Sequence, residues 1–593
     1  MHLLKPANFL HPRAFPKLLF VIFLQFSFAS NFAFADEVDA ARQDIQAKQA
    51  IESERIDFIR QKEFREIEKS NGLKDAAPKA EVAVEFLKND YCKTITDFEF
   101  EGNSKFSSEF LNERFVKPVL HEAVNSCLKK SDFLEIYNQI QNFYIEKGFV
   151  LARIYFDFSR ANEFVIKIVV EEGKIEEVTL KDNSKLNEFL PWRRSAKRAT
   201  AFPFLGEGDI VYLRDIEQGI DQINRLSSQN AKSSFEAAEK QGYSNLVVEN
   251  NIGNSANLSF ALDNSGNKRT GLMKRKVALN YDNLIGINDN FYLNYSESNA
   301  AGFFGASDNF NKKIGASDNS KNRFSKAFYS AFSMPLGYYS LGASYSYSHY
   351  SLTTRGLAGA LRSSGNSEAK SYFLEKVLSR AKRYKISAKA ELEQNDTDSY
   401  VENTYIPVNS RKTTQVNFSL NNIFYLDNGS LVLTPKYSKG LKILGAMNDG
   451  KNLAPDKPRA QFESFGFYGQ SSLNFNIPQI NLPINHKLAV DGFYSKDSLY
   501  GVDQFILGGR YSLRGFQQNI ISGDSGYSIR NDVSVRLFDL MPQGFKQSGA
   551  ANFAVKDISL NSLISQMRVG VFYDYGFVRN NTKIHLYIYH KTI

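Results

Sequence analysis

The sequence predicts a transmembrane antiparallel β-barrel preceded by two small periplasmic α+β domains and an N-terminal helix. Three observations lead there: an export signal at the N-terminus, a β-α-α-β-β texture that occurs twice between residues 92 and 250, and strand-type alternation from about residue 254 onward. A chain of 593 residues is more than one compact core usually holds, so several domains are expected. Its 42% hydrophobic content is that of an ordinary soluble protein, but 49 Phe and 30 Tyr against a single Trp are not. Beyond residue 35 no run of about 18 apolar residues occurs, so no transmembrane helix is available. A barrel escapes that test, because its strands alternate lipid-facing and water-facing side chains and average out as polar.

The export signal occupies residues 1–35. Lys5, Arg13 and Lys17 precede the apolar run Leu18–Leu24, and Ala33-Phe34-Ala35 supplies the small-x-small cleavage pattern. An uncleaved anchor helix is the alternative; the short run and the charged segment after it argue for cleavage near Asp36. Residues 37–70 are rich in Glu, Lys, Arg, Gln and Ala without Gly or Pro, and Ala40, Ile45, Ile51, Ile56 and Ile59 form only a thin apolar stripe. Such a helix is solvated or sits in a polar cavity. Asn71-Gly72 ends it, and a linker follows to about residue 88.

In the first α+β unit, Phe98 and Phe100 alternate with Glu99 and Glu101, and Phe133, Ile136, Tyr137 and Ile140 mark one face of a helix that stops at Gly148. Strands are expected over Val150–Phe158 and Glu163–Glu171. The second unit, from about residue 176 to 250, has its clearest helix at Leu213, Ile216, Ile220 and Ile223, with strands near Ser234 and Leu246. Two such modules in tandem suggest a docking arm, since exposed sheet edges bind extended peptides by adding a strand; the plainer reading is a pair of spacers. Cys92 and Cys127 fall in the first unit of an exported chain, where a disulfide is the natural reading and two buried free thiols the other. They lack the close spacing of a zinc motif, and no metal site is expected.

The barrel region shows period-2 alternation in Tyr339–Tyr347, Lys385–Glu393 and Gln415–Asn421, each near the about 9–11 residues of a tilted membrane strand. A soluble sandwich also alternates; the number of strands, their tyrosines and the lack of helices among them favour the barrel. The polar stretches 299–323 and 447–458 read as outer loops.

One stretch is more specific. Leu507-Gly508-Gly509-Arg510-Tyr511-Ser512-Leu513-Arg514-Gly515-Phe516, continued by Ser522-Gly523-Asp524-Ser525-Gly526-Tyr527-Ser528-Ile529-Arg530-Asn531-Asp532, resembles the two-partner secretion (type Vb) outer-membrane transporters of the POTRA-barrel superfamily, the haemolysin and filamentous-haemagglutinin exporters. Their inward-folded loop carries a Val/Leu-Arg-Gly-Tyr/Phe tip, and the run that follows has Glu where this chain has Asp532. Phe202-Pro203 with Leu205 and Gly206, then a helix carrying Arg214, Asp215, Gln218, Gly219, Asp221, Asn224 and Arg225, is similar to the family's second POTRA domain. Cys92 with its following strand, and Val170-Glu171-Glu172-Gly173-Lys174-Ile175, are similar to the first.

The resemblance implies a signal peptide over 1–35, a plug-type helix and linker over 36–88, POTRA 1 over 89–175, POTRA 2 over 176–252 and a barrel of about 16 strands over 253–593. Phe572-Tyr573-Asp574-Tyr575-Gly576 resembles the superfamily's Phe-x-Asp-x-Gly strand, which implies that Arg514 pairs with Asp574 in the lumen, with Gly515 turning the tip and Phe516 packing on the wall. The plainer reading is an exposed Arg514-Gly515 turn. The polar helix 37–70 fits a plug through the barrel or a free periplasmic helix. After Gly576 the chain runs only to Ile593, one strand at about 10 residues per strand, so either an unusual barrel closes or C-terminal strands are missing.

The function implied is recognition and secretion, with activation where it applies, of a large partner exoprotein such as a haemolysin or haemagglutinin-like adhesin. The protein is then a monomer in the bacterial outer membrane with its POTRA domains in the periplasm. Its expected partners are the unfolded exoprotein, outer-membrane lipid and lipopolysaccharide, and the barrel assembly machinery. An assembly insertase of the same superfamily, a truncated transporter without function, and a passive porin are the competing readings. The +9 charge is spread along the chain, so nucleic acid is not an expected partner. No cofactor and no catalytic residues are expected: Gly-x-Ser-x-Gly, His-Glu-x-x-His and the Walker phosphate loop are all missing from the sequence.

Overall fold

The computed structural model describes residues 93–592 apart from 123–126, 160–163, 265, 267–269, 300–322, 357–358, 382, 480–481, 510–511, 517–520, 541–553, 556–557, 560–566 and 582–586. The signal segment, the helix expected over 37–70, the outer loop at 300–322 and Cys92, with its expected bridge to Cys127, lie outside the described residues.

The first unit packs helix α1 (Lys130–Glu146) on a sheet of β1 (Asp97–Glu101), β2 (Arg153–Asp157) and β3 (Val165–Glu171), with β3 in the middle, parallel to β1 and antiparallel to β2. Alternation on the strands turns Phe98, Ile154, Ile166, Ile168 and Val170 inward, where they meet Phe133, Ile136 and Ile140 of the helix. The Asp132 carboxylate accepts from the Lys129 backbone N–H at 2.8 Å and so satisfies an otherwise orphaned donor at the helix start. The strand expected over Val150–Phe158 is shorter than its pattern suggested. Ala152 donates back to the Phe149 carbonyl at 3.1 Å, and Val150 and Leu151 turn away to pack on the second unit's core.

In the second unit, β6 (Tyr243–Ile252) lies between β4 (Lys174–Asp182) and β5 (Gln229–Ala237), under helices α2 (Trp192–Ala201) and α3 (Leu213–Asn224). Ile216, Ile220 and Ile223 of α3 bury against Ile175, Val178, Leu246 and Val248, as the helical spacing predicts. The two units adjoin directly: Leu213 N–H donates to the Gly148 carbonyl at 2.8 Å, and Val211 N–H to the Gly173 carbonyl at 3.0 Å.

The rest of the chain forms one antiparallel 15-stranded sheet, in which a short two-residue strand at Thr404–Tyr405 lies off the main path. The path is β7 (Ala256–Asp263), β8 (Lys274–Asp282), β9 (Asn290–Asn299), β10 (Phe324–Leu336), β11 (Tyr339–Gly356), β12 (Gly359–Ala381), β13 (Tyr384–Val401), β14 (Arg411–Leu426), β15 (Gly429–Leu441), β16 (Glu463–Ile477) and β17 (Leu482–Ser495). A small hairpin, β18 (Phe505–Leu507) with β19 (Ile521–Gly523), then interrupts the order. The path resumes with β20 (Ser525–Arg536), β21 (Arg568–Arg579) and β22 (Tyr587–Thr592). Among the described residues β7 and β22 are not paired with each other, so the sheet is not closed there.

The sheet is polar on one face and apolar on the other. Leu258, Phe260 and Leu262, Tyr372 and Leu374, Phe418 and Leu420, and Phe465 and Phe467 are exposed at alternate positions. Between them lie inward groups that bond to one another, such as Ser371 to Glu391 at 2.8 Å and Gln415 to Glu393 at 3.2 Å. This is the pattern of a membrane barrel, with an apolar exterior and a polar lumen. No helix among the described residues is long and apolar enough to cross a membrane. Strand direction sorts the connections. The turns at 283–289 and 337–338 lie on the side of the α+β units, and the loops at 402–410 and 442–462 lie on the other, where the chain also leaves β17.

Candidate functional site

The loop between β17 and β20 folds back against the inner face of β21. The register explains which residues it meets. Asp574 lies opposite Arg530 and Phe572 opposite Asp532, and alternate residues share a face, so Phe572, Asp574, Gly576 and Val578 point inward together. Val569, Val571 and Tyr573 point to the exposed side. Asp532 is the diagonal neighbour of Asp574, within reach of one long side chain.

Arg514 fills that place. Its Nε donates to Asp574 Oδ2 at 2.9 Å and its Nη2 to Asp574 Oδ1 at 2.6 Å, while its backbone N–H donates to Asp574 Oδ2 at 2.8 Å. Nη1 donates to Asp532 Oδ1 at 2.5 Å, and the guanidinium carbon stands 4.0 Å from the Phe572 ring centroid. A planar fork matches the Asp574 carboxylate in two bonds and still offers a face to the ring, which an ammonium could not do. Asp574 is only 1% exposed, whereas the Asp532 side chain is 39% exposed. The tighter partner is therefore Asp574.

The residues around the arginine complete the anchor. Gly515 turns the tip at φ +85°, a conformation that favours glycine. Leu507, Leu513 and Val578 are buried together with Phe505, Phe516 and Ile521 packed around them, and a Cβ on Gly576 would stand 3.0 Å from Leu507 and 3.1 Å from Leu513. The loop thus lies along four consecutive inward positions of one strand. Arg510 and Tyr511 of the same motif lie outside the described residues.

The helix motif of the second unit has a different use. Gln218 and Gln222 both donate to the Gly337 carbonyl, at 3.0 and 2.9 Å, in the turn between β10 and β11. Tyr338 donates its hydroxyl proton to Asp215 at 2.7 Å. Arg225 donates to Ser333 Oγ at 2.9 Å and to the Asn288 carbonyl at 2.8 Å, and Asp221 pairs with Arg380 at 2.9 Å. Four of the seven motif residues, Asp215, Gln218, Asp221 and Arg225, therefore hold turns and strand ends of the barrel on the side of the α+β units. The other three serve their own domain. Arg214 pairs with Glu217, Gly219 lies under the Phe202 ring, and Asn224 bonds both backbone groups of Ala231.

Burial pushes the Asp215 carboxyl up, a trend that the Tyr338 hydroxyl opposes and Asp209 reinforces. Burial likewise pushes the Tyr338 phenol up, with the Asp215 carboxylate adding to it.

Sequence reasoning missed Gln222, Arg193 and Arg380. Arg193 donates to three carbonyls of the 283–285 turn, at Asn283, Leu284 and Ile285. A backbone carbonyl carries no sequence signal. The turn itself does: Asn283, Gly286 and Asn288 all have positive φ, and the Asp289 carboxylate gathers the N–H groups of Ile285, Gly286 and Ile287.

Comparison with known proteins assigns the domains. Residues 94–173 match a POTRA domain of the ShlB type and residues 174–237 a second POTRA domain. An outer membrane transporter CdiB from Dickeya dadantii is 28% identical over 524 residues, covering 88% of this chain and 85% of its own. The hemolysin transporter protein ShlB of Serratia marcescens is 24% identical, covering 70% of this chain and 68% of its own. The solved structure of CdiB from Escherichia coli superposes with a TM-score of 0.71 at 23% identity, covering 93% of this chain and 90% of its own, so the fold is shared. Residues 242–555, more than half of the chain, match the haemolysin secretion/activation protein ShlB/FhaC/HecB, and the chain belongs to that family of outer-membrane transporters.

Proposed function

We propose that the chain takes an unfolded partner exoprotein from the periplasm and passes it outward through the barrel, with the Arg514 loop as the internal gate. The observation that carries the reading is the clasp of Arg514 between Asp574 and Asp532 on the lumen wall. A cation so fully paired inside a polar channel is an anchor, released when cargo needs the space; it touches no reacting atom, and the work is transport, not catalysis. The domain limits expected at 175/176 and 252/253 divide the labour. POTRA 2 is bonded to the barrel mouth through α2 and α3, leaving sheet edges for capture.

Among the described residues strand β5 pairs only with β6, so its far edge has no strand on it there, and most of its side chains are exposed. An extended cargo segment can add there as a further strand, using main-chain hydrogen bonds that do not depend on a folded partner. Folding of the cargo outside supplies the driving force. The test is co-expression with a large exported protein encoded beside this chain. The partner should reach the medium only when this chain is present. Retention of the partner in the periplasm, with the barrel folded in the outer membrane, would contradict the reading.

A further inference from the structure

The tip of the lumen loop is held by Asp574, and its root is held by a second carboxylate. Asp524 closes the Ser522-Gly523-Asp524 run and is 2% exposed. Its Oδ1 accepts from the Leu499 backbone N–H at 2.9 Å and from Gln504 Nε2 at 3.0 Å, and its Oδ2 accepts from the Asn581 backbone N–H at 2.9 Å. Leu499 and Gln504 belong to the leg that leaves the wall after β17, Asp524 itself ends the returning leg, and Asn581 follows β21.

The neighbours tie the same three segments. Gln504 accepts from Ser522 Oγ at 2.8 Å and donates to Asn580 Oδ1 at 3.3 Å. Asn581 Nδ2 donates to the carbonyls of Ser495 at 3.2 Å and Asp497 at 2.9 Å. All three donors to Asp524 are amides, and a buried carboxylate that gathers amide N–H groups is held in place by every one of them.

The loop is thus pinned twice to one strand, at Asp574 by its tip and at Asn581 by its root, roughly 20 Å apart at the rise of an extended chain. The two pins differ in kind. The tip is held polarly through one residue, Arg514, whose guanidinium and backbone N–H both meet Asp574, with Leu507 and Leu513 packed beside it. The root joins both legs of the loop to the strand end through a group with almost no contact with water.

We propose that Asp524 is the pivot of the lumen loop: a positioning residue that keeps both legs fixed to the end of β21 while Arg514 leaves Asp574 for cargo to pass. The inference deepens the gate reading above and rests on it for its purpose, but its test needs no cargo.

Four forms of the full-length protein in the outer membrane of intact cells decide it: wild type, Asp574→Asn, Asp524→Ala and the double variant. External trypsin probes the loop at Arg510 and Arg514, and the heat-dependent gel mobility of each form reports whether its barrel is folded. In Asp574→Asn the tip is loosened but the root holds, so cleavage rises little. In the double variant both pins are gone, and cleavage is expected to be about tenfold faster than in Asp574→Asn, as loss of three bonds to a buried acceptor implies.

Cleavage of the double variant no faster than that of Asp574→Asn, in a folded barrel, overturns the pivot. Should the double variant not fold, Asp574→Asn with Asp524→Asn decides in the same way. That change keeps the side-chain shape but sets an amide NH2 against an N–H donor, so cleavage is expected between the two extremes, and a rate equal to that of Asp574→Asn alone overturns the proposal. The faster cleavage in a strain that exports no partner would keep the pivot and remove the exporter reading, so the two fail separately.

Discussion

At Arg514 one cation faces two carboxylates of unequal standing. Asp574 is buried and receives three of its donors, whereas Asp532 is half-exposed and receives one. Removing the charge of a buried partner costs about 3–5 kcal/mol, while an exposed one contributes about 0–1 kcal/mol. Asp574→Asn should therefore loosen the loop tip far more than Asp532→Asn, as read by the rate at which a cysteine placed at Ser512 reacts with a thiol reagent. Equal rates in the two variants would contradict this ranking. Arg514→Lys should behave like loss of the residue, because a point charge satisfies one carboxylate oxygen and cannot also lie flat on Phe572. The Arg514–Asp574 pair was legible in the motif. The parts of Asp532 and Phe572 were not, because they depend on the β20–β21 register, which places these side chains on one face.

Among the elements, α3 is the one whose motif was plain while its purpose was hidden. Its periodicity predicted a buried face of Ile216, Ile220 and Ile223, and that face is as expected. The opposite face, expected only as a family signature, proves to be a docking surface on the barrel turn at Gly337–Tyr338. Gln218→Ala with Gln222→Ala removes both donors to the Gly337 carbonyl, at about 1 kcal/mol each. The double variant should loosen α3 on the barrel mouth without unfolding POTRA 2, the bonds of Arg193, Asp221 and Arg225 remaining. Distances between spin labels on α3 and on the β14–β15 turn should broaden, and an unchanged distribution would contradict the docking role.

Lys197 of α2 gives a pH test at the same scale. It is fully buried, and burial, reinforced by Arg193 and Arg194 against the pull of Asp182, pushes its ammonium down from 10.5 to about 8. Between these values the unfolded chain binds the proton more fully than the folded one, so this group's contribution to stability rises with pH. Its penalty is complete below pH 8 and vanishes above 10.5, and is on the order of 3 kcal/mol. Gln229 Oε1 keeps Asn250 as a donor at 2.7 Å when Lys197 is lost, so Lys197→Met should stabilise the domain at pH 7. That advantage should shrink toward pH 10, followed by thermal unfolding of both proteins. An advantage independent of pH would show that Lys197 is not the titrating group.

For the whole molecule, alternation along the strands was the legible part. Tyr339–Tyr347, Lys385–Glu393 and Gln415–Asn421 all fall inside longer strands, Tyr339–Gly356, Tyr384–Val401 and Arg411–Leu426. The lengths were not legible, since the strands continue past the lipid-facing pattern into polar rims where alternation in hydrophobicity ceases to matter. The pairing of the α+β units with the barrel was not legible either, because most of its acceptors are backbone carbonyls. A folded barrel of this kind resists detergent, so the protein from isolated outer membranes should migrate differently on a gel before and after boiling. A single unchanged band would contradict a folded membrane barrel.

Loss of the Arg514 side chain tests the gate most directly. Secretion of the partner exoprotein into the medium is measured for cells carrying the wild-type chain and cells carrying Arg514→Ala, with the heat-dependent mobility confirming equal amounts of folded barrel. Export is expected to collapse in the variant while the barrel stays folded. Export at the wild-type rate from a folded Arg514→Ala barrel would contradict the claim that the clasped loop controls the pore.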